Sequence, residues 1–303
     1  MDLAISVVIP SYNDLTYLPH ALASVWQQTS PANEVWVVDD GSNDGTIAYL
    51  QQQQWHHPNL HYLRLEHAGV AAARNAAMQL CRHPWVAFLD ADDRWYPTKL
   101  ARQRQLLARH PNTHLLFSNY LHRTPEGSSL GDCFHFWPHF RRHFAQGEHQ
   151  LSRAILLAQN VVGTSAAIVA RQAALDVGGF DPQLASASDW DLWLKLAATG
   201  PIWSHSDLLM DYLCRPNSIS SHKLNRLQAM MQIIHRHSVQ QPWQTRRHAR
   251  ANLARAFSEY YATEQQPWSA LWQQWQSWCL APNWADGKRC LAQWRACWPS
   301  RSP

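Results

Sequence analysis

The first hundred residues alternate between short apolar runs and helix-like stretches, and this alternation limits the chain more than any other feature. Ile5-Ser6-Val7-Val8-Ile9 is a β-branched run stopped by Pro10, and Glu34-Val35-Trp36-Val37-Val38 is a second strand-like run. Residues 60–65 and 85–89 read as two more strands, with helical periodicity over 18–28, 46–54 and an Ala-rich 70–80 between them. Units of this length predict an α/β fold with a doubly wound, mostly parallel sheet. Further on, 115–119 and 165–169 read as strands, and 154–159 and 190–198 as helices. The His- and Phe-rich stretch up to 150, with Gly127, Gly131 and Pro138, reads as loop. After Ser221 the chain reads as wholly helical.

Three of the strand-like runs stop at polar clusters: Pro10-Ser11-Tyr12-Asn13, Asp39-Asp40-Gly41-Ser42 and Asp90-Ala91-Asp92-Asp93. A parallel sheet gathers such clusters on one edge, where ligands of open α/β folds bind. Carboxylates packed this closely repel one another, and a hard Mg²⁺ or Mn²⁺ is the usual reason to hold them together. An acidic turn in solvent has the same spacing. Tyr12 offers a flat face to a base, and Asp40 can accept a hydrogen bond from a pyrimidine or ribose. Asp39-Asp40-Gly41-Ser42 also fits a plain turn before a helix cap.

These runs carry a family resemblance. Val7-Val8-Ile9-Pro10-Ser11-Tyr12-Asn13, Val37-Val38-Asp39-Asp40-Gly41-Ser42-Asn43-Asp44-Gly45-Thr46, Gly69-Val70-Ala71-Ala72-Ala73-Arg74-Asn75 and Phe88-Leu89-Asp90-Ala91-Asp92-Asp93 stand in that order. Val177-Gly178-Gly179-Phe180-Asp181, Asp189-Trp190-Asp191-Leu192-Trp193 and Pro216-Asn217-Ser218-Ile219-Ser220 follow. Over residues 4–221 the chain resembles the family 2 glycosyltransferases of the inverting GT-A fold. The resemblance implies transfer of a sugar from a nucleotide-diphosphate donor, often UDP-linked, to an acceptor hydroxyl, with surface polysaccharide as the family-level setting. It implies donor contacts from Pro10, Tyr12, Asp40, Arg74, Asp90, Ala91 and Asp92, and a Mg²⁺ or Mn²⁺ held by Asp92 with Asp90. Asp189 is the implied base, although the start of a helix equally suits it as an N-cap. Gly163, Thr164, Trp190 and Asp191 fall on the implied acceptor side, where Gly163-Thr164-Ser165 also reads as a turn. Two positions depart from the family pattern. Ser188 stands where Glu is common, and Tyr212-Leu213-Cys214-Arg215 replaces a Tyr-Arg-x-His arrangement, leaving Arg215 for any diphosphate contact there.

The organisation expected is a GT-A domain over 1–221, with a nucleotide-binding half (1–110) and an acceptor half (111–221), then a helical region over 222–303. Charge divides at the same place. Residues 1–221 hold 15 Lys/Arg and 19 Asp/Glu, a net of −4, whereas 222–303 hold 11 and 3, a net of +8. Seven of the 17 tryptophans lie between Trp268 and Trp298, and Trp268, Leu271, Trp272, Trp275, Trp278 and Cys279 share one helical stripe. Two readings follow: an interfacial region docking on an anionic membrane, or a hairpin whose tryptophans pack on the catalytic domain or a second subunit. The stripe helix lacks Lys and Arg, which favours the packed hairpin; a homodimer stays open.

Six scattered cysteines without C-x-x-C spacing point to reduced thiols. No apolar run is long enough to span a bilayer and no signal peptide is visible, so the expectation is a cytoplasmic protein, with peripheral contact at the cytoplasmic face of the membrane left open. His135, His139, His143 and His149 read as an exposed flap rather than a second metal site. No nucleic-acid motif is present. Two rival functions are a non-catalytic nucleotide-sugar or glycan-binding protein and a phosphatase. Arg94 stands where the latter chemistry wants Thr or Val.

Overall fold

The computed structural model describes residues 3–144, 146–215, 222–239 and 241–297. Two compact units are present. The first comprises Met1–Ser152, Val161–Gln183 and Ser188–Pro216, and the second Arg153–Asn160, Leu184–Ala187 and Asn217–Pro303. The Pro216-to-Ser220 motif lies outside the described residues.

The first unit opens with β1 (Ile5–Ser11), α1 (Leu18–Trp26), β2 (Glu34–Asp39), α2 (Thr46–His56), β3 (Leu60–Arg64), α3 (Val70–Leu80) and β4 (Trp85–Phe88). These are the βα units read from the alternation. β1 is buried along its whole length, as a central parallel strand covered on both faces must be. Pro10 is tolerated there because the pairing of β1 with β4 ends at Val8, so its missing N–H interrupts no ladder on that side. β5 (Arg94–Trp95), α4 (Lys99–Arg109), β6 (Leu115–Arg123), β7 (Ser129–Asp132), α5 (Cys133–Phe136), α6 (Pro138–Phe144) and β8 (Glu148–Leu151) follow. In the second unit lies α7 (Arg153–Ala158). The first resumes with a 3-10 turn (Thr164–Ala166), β9 (Ala167–Ala170), α8 (Arg171–Asp176), α9 (Ser188–Thr199) and β10 (Ile202–Leu213).

All ten strands belong to one sheet, whose main path runs β3-β2-β1-β4-β9-β6-β10-β5. β1, β2, β3, β4, β6 and β10 point one way and the rest run against them. The sheet is therefore mostly parallel by strand direction, mixed in its second half and flanked by helices.

The stretch from 120 to 150 is not the expected loop. Phe134 and Phe140 are fully buried, with ring centroids 4.6 Å apart, and each meets Phe117 of β6. Gly127, at φ 88°, makes the turn of the β6–β7 hairpin, and the three buried phenylalanines order the segment beyond it. The elements α4 and β10 also lie outside the periodicity read from sequence. Arginines at 102, 104 and 109 mask the buried Leu100, Leu106 and Leu107 of α4, and β10 buries Ser204 and His205.

The second unit is helical, as expected after Ser221: α10 (Lys223–Ser238), α11 (Trp243–Thr263), α12 (Pro267–Leu280) and α13 (Trp284–Ala296). α11 is its axis, burying Ala249, Ala251, Ala254 and Ser258. Asn252 Nδ2 donates to the Ala158 carbonyl of α7 at 2.8 Å. Arg255 grips Asp286 of α13 through two nitrogens. The stripe helix α12 keeps its other face, not its tryptophans, inside the helical unit. Ala270, Gln274 and Ser277 are buried, whereas Trp268, Trp272, Trp275 and Trp278 are exposed. Ala270 and Ser277 let the backbones of α11 and α12 approach, Gln274 is buried beside them, and Ser258 Oγ donates to the Ala270 carbonyl at 2.9 Å.

Candidate active site

Parallel pairing of β2, β1 and β4 brings the three polar clusters to one sheet edge. The first two are stitched together. Asn13, in the left-handed region at φ 53°, donates its N–H to Ser42 Oγ at 2.9 Å, and its Oδ1 accepts from Asn43 N at 2.9 Å. Asp39 and Asp40 are both buried, so the exposed ring of Tyr12 is what this part of the edge presents. The Asp40 carboxylate accepts from Ala68 N (2.6 Å) and Gly69 N (2.9 Å). These bonds anchor the turn carrying His67, whose ring centroid lies 4.3 Å from that of Tyr12. His67 was not singled out from sequence. Its only signal is an aromatic ring just before Gly69, the residue that opens α3 at φ 89°.

α3 then delivers Arg74, buried, to Asp90, and its guanidinium lies over Phe180 at 5.3 Å. The turn 90–93 is held from beneath by Ser165. Ser165 Oγ accepts from Asp90 N at 2.9 Å and donates to Asp93 Oδ2. Ala91 is buried within this turn. Asp93 also accepts from Leu213 N at 2.9 Å, which fixes the end of β10 beside the turn. Burial and the neighbouring Asp92 and Asp90 push the Asp93 carboxyl well above its ordinary value.

Two residues past Leu213, Arg215 donates to Asp92 Oδ2 at 2.6 Å and to Asp14 Oδ1 at 2.7 Å. Burial and the charge of Asp90 raise the Asp92 carboxyl to about 6, with Arg215 opposing. Asp14 was missed from sequence, although it directly follows Asn13 in the first cluster. The result is a knot of carboxylates with arginines as counter-ions.

The other wall is α9. Asp189 lies in its first turn, where a carboxylate faces the positive end of the helix dipole. Its Oδ2 accepts from Thr164 Oγ1 at 2.9 Å, and its Oδ1 from Trp190 N at 2.8 Å. Gly163 is required by packing, since a Cβ there would sit 2.8 Å from the Tyr120 ring. Trp190 and Asp191 depart from the acceptor-side expectation. Trp190 is 2% exposed and Asp191 is fully buried against Lys195 Nζ at 2.7 Å. Helical periodicity turns both into the core, leaving Asp189 as the carboxylate of this turn that is not fully buried.

Among the described residues, no group of three His, Cys, Asp or Glu side chains is gathered to hold a metal ion unaided. Asp90 and Asp92, each paired with an arginine (Arg74 and Arg215), nevertheless offer hard oxygen donors, which fits a divalent ion completed by phosphate oxygens and water. Of the histidines in the 135–149 stretch, the two described ones have local partners. His135 pairs with Asp132 at 3.0 Å, His149 meets the Gln146 carbonyl, and the side chains of His139 and His143 are outside the description.

Comparison with known proteins agrees with this arrangement. Residues 6–157 match the family described as glycosyl transferase family 2. A Bacillus subtilis protein assigned provisionally as the teichuronic acid biosynthesis glycosyltransferase TuaG is 29% identical over 221 residues, covering 72% of this chain and 82% of that protein. Escherichia coli chondroitin synthase is 26% identical over 197 residues, which are 65% of this chain but 27% of that enzyme. Among solved structures, Staphylococcus aureus TarS 1–349 in complex with UDP aligns with a TM-score of 0.62 at 19% identity, covering 97% of this chain and 87% of that one. The mannosyltransferase PcManGT of Pyrobaculum calidifontis, in complex with GDP-Man and Mn²⁺, aligns with a TM-score of 0.64 at 20% identity, covering 97% and 79%. The sheet, its edge of strand-end carboxylates and these relatives lead to one assignment: the chain belongs to glycosyl transferase family 2 and is a glycosyltransferase of the GT-A fold.

Proposed function

We propose that this enzyme transfers a sugar, with inversion, from a UDP-linked donor to a hydroxyl of a glycan or lipid-linked acceptor in surface polysaccharide assembly. The reading rests on one observation above the others. Two consecutive hydroxyls, Thr164 and Ser165, tie Asp189 to the Asp90–Asp93 turn, so the two walls of the cleft are held in register by a single 3-10 turn. Such coupling suits a reaction that needs a base on one side of a sugar and charge stabilisation on the other. TuaG supports the polysaccharide setting, and the UDP bound by TarS supports the nucleotide.

Tyr12 and Asp40 would receive the base, and Arg74 would lie toward the diphosphate, where a planar cation suits an anionic group. Pro10 and Ala91 shape the backbone of that pocket. Asp92 and Asp90 would hold Mg²⁺ or Mn²⁺, and Mn²⁺ in the PcManGT complex supports a divalent ion. When bound, that ion supplies Lewis-acid neutralisation of the departing diphosphate. Asp189 would take the proton of the acceptor hydroxyl, with Thr164 orienting its Oδ2. Attack from the face opposite the leaving group gives the inverted product. We assign the reaction to the cytoplasmic side.

The test screens UDP-, GDP- and dTDP-sugars for Mn²⁺-dependent thermal stabilisation of the full chain, followed by transfer assays on Asp189→Asn and Asp92→Ala. UDP-sugars should stabilise best, and Asp189→Asn should keep donor binding while losing transfer. Unchanged transfer in both variants would overturn the roles given to Asp189 and Asp92.

A further inference from the structure

We infer that the second unit docks on a bilayer containing anionic phospholipid through the tryptophan face of α12 and α13. The inference concerns a surface separate from the carboxylate cleft and does not depend on the donor. It begins with the inverted burial of α12. Trp272 and Trp275 are 55% and 46% exposed and stacked at 5.1 Å, while the polar Gln274 and Ser277 are buried. Exposing indole at four positions of one helix removes large apolar areas from the core, a cost that a partner must offset.

The apolar face continues onto α13. Trp278 Nε1 lies 3.6 Å from where a Cβ on Gly287 would be, so the two helices adjoin at that point. Beyond this seam Trp284, Leu291 and Trp294 are 80%, 62% and 54% exposed. Lys288 is exposed one turn from Trp284, with its Nζ 5.5 Å from that ring. Trp, Leu and Lys on one exposed helical face form the pattern of an interfacial segment, with indoles at headgroup depth and the ammonium among phosphates.

Charge selects the occupant. Residues 222–303 carry a net +8, so a second copy would bring like charge to like, whereas an anionic bilayer is complementary. A hollow of about 410 Å³ lies at the turn between α12 and α13, lined by Trp243, Arg247, His248 and Arg255 among others and by no acidic side chain. Arg247 lies 4.7 Å from the Trp243 ring and donates to the Leu280 carbonyl, which holds a cation at the rim. A lipid phosphate fits that chemistry. Among the described residues no helix is long and apolar enough to cross a membrane, so the contact is peripheral.

Full-length protein is sedimented with vesicles of phosphatidylcholine alone and of phosphatidylcholine with phosphatidylglycerol, without donor or metal. The expected result is partition to the anionic vesicles at least about tenfold above the neutral ones, weakened by added salt. Brominated lipid should quench part of the tryptophan fluorescence of the unmodified protein. Trp272→Ser/Trp275→Ser/Trp278→Ser should weaken partition by more than about tenfold, and Lys288→Glu, which leaves the tryptophans intact, by about tenfold. Equal partition to both vesicle types, or none, overturns the proposal. So does a concentration-dependent dimer in sedimentation equilibrium that the triple variant abolishes, because a second copy then covers the face.

Discussion

Trp55 apart, the sheet unit and the helical unit treat tryptophan in opposite ways. In the first, Trp193 is fully buried with Phe88 and Phe180 around it, and polar groups collect where strands stop. In the second, α12 buries Ala270, Gln274 and Ser277 and turns its tryptophans out. Periodicity identifies which residues share a helical face in both cases. Which face is buried depends on the surface opposite, and α11 offers a strip of Ala251, Ala254 and Ser258, whose Ser258 Oγ reaches the Ala270 carbonyl of α12. The apolar face is therefore the buried one in α9 and the exposed one in α12.

The contrast can be broken most sharply at the cleft. Asp189→Asn should lower transfer by about 10²- to 10⁴-fold, read by product formation, with the thermal transition unchanged. A carboxylate serving only as a helix cap would leave the rate alone, because Asn caps a helix as well as Asp does. Next in size, Trp193→Ala should destabilise the sheet unit by about 3–5 kcal/mol in urea melts, by opening a cavity among packed rings.

Asp286→Ala should cost about 3 kcal/mol in the helical unit, because it strips a buried partner from Arg255. The same residue sets an acid limb. Burial alone would raise its carboxyl, but the hydrogen bonds from Arg255 and Asn283 hold it below the ordinary value. Its contribution is thus present above about pH 4 and lost as pH falls through the lowered folded value. Asp286→Asn should flatten that limb in thermal melts across acid pH. Gly163→Ala should cost about 1–3 kcal/mol, since the new methyl meets the Tyr120 ring. The smallest effect expected is that of Trp272→Ser, within about 0.5 kcal/mol by the same melts. A large loss there would mean the exposed tryptophans do support the fold, and the contrast between the units would dissolve.

Much of the cleft was legible before any coordinates. Pro10 to Asn13, Asp39 to Ser42 and Asp90 to Asp93 each follow an apolar run, and parallel pairing makes such ends coincide. Arg74 was legible from its place in the α3 run. Asp14, His67 and Ser165 were not, because their parts arise from contacts with residues 201, 55 and 72 positions away. Trp190 and Asp191 misled for a related reason: being next to Asp189 in sequence, they point elsewhere around the helix. The aromatic packing of Phe134 and Phe140 on β6 was hidden by glycines that read as loop.

The order of strands and helices over the first ninety residues, the family, the acidic strand ends and the charge division at 221 were determined by sequence alone. These depend on local periodicity and composition, which each segment carries with it. Only the tertiary structure decided that Arg215 bridges Asp92 and Asp14, that Thr164 and Ser165 link Asp189 to the acidic turn, and that the tryptophans of α12 face outward. Each of these turns on which distant surface a residue meets, and a linear pattern holds no information about the shape of its partner.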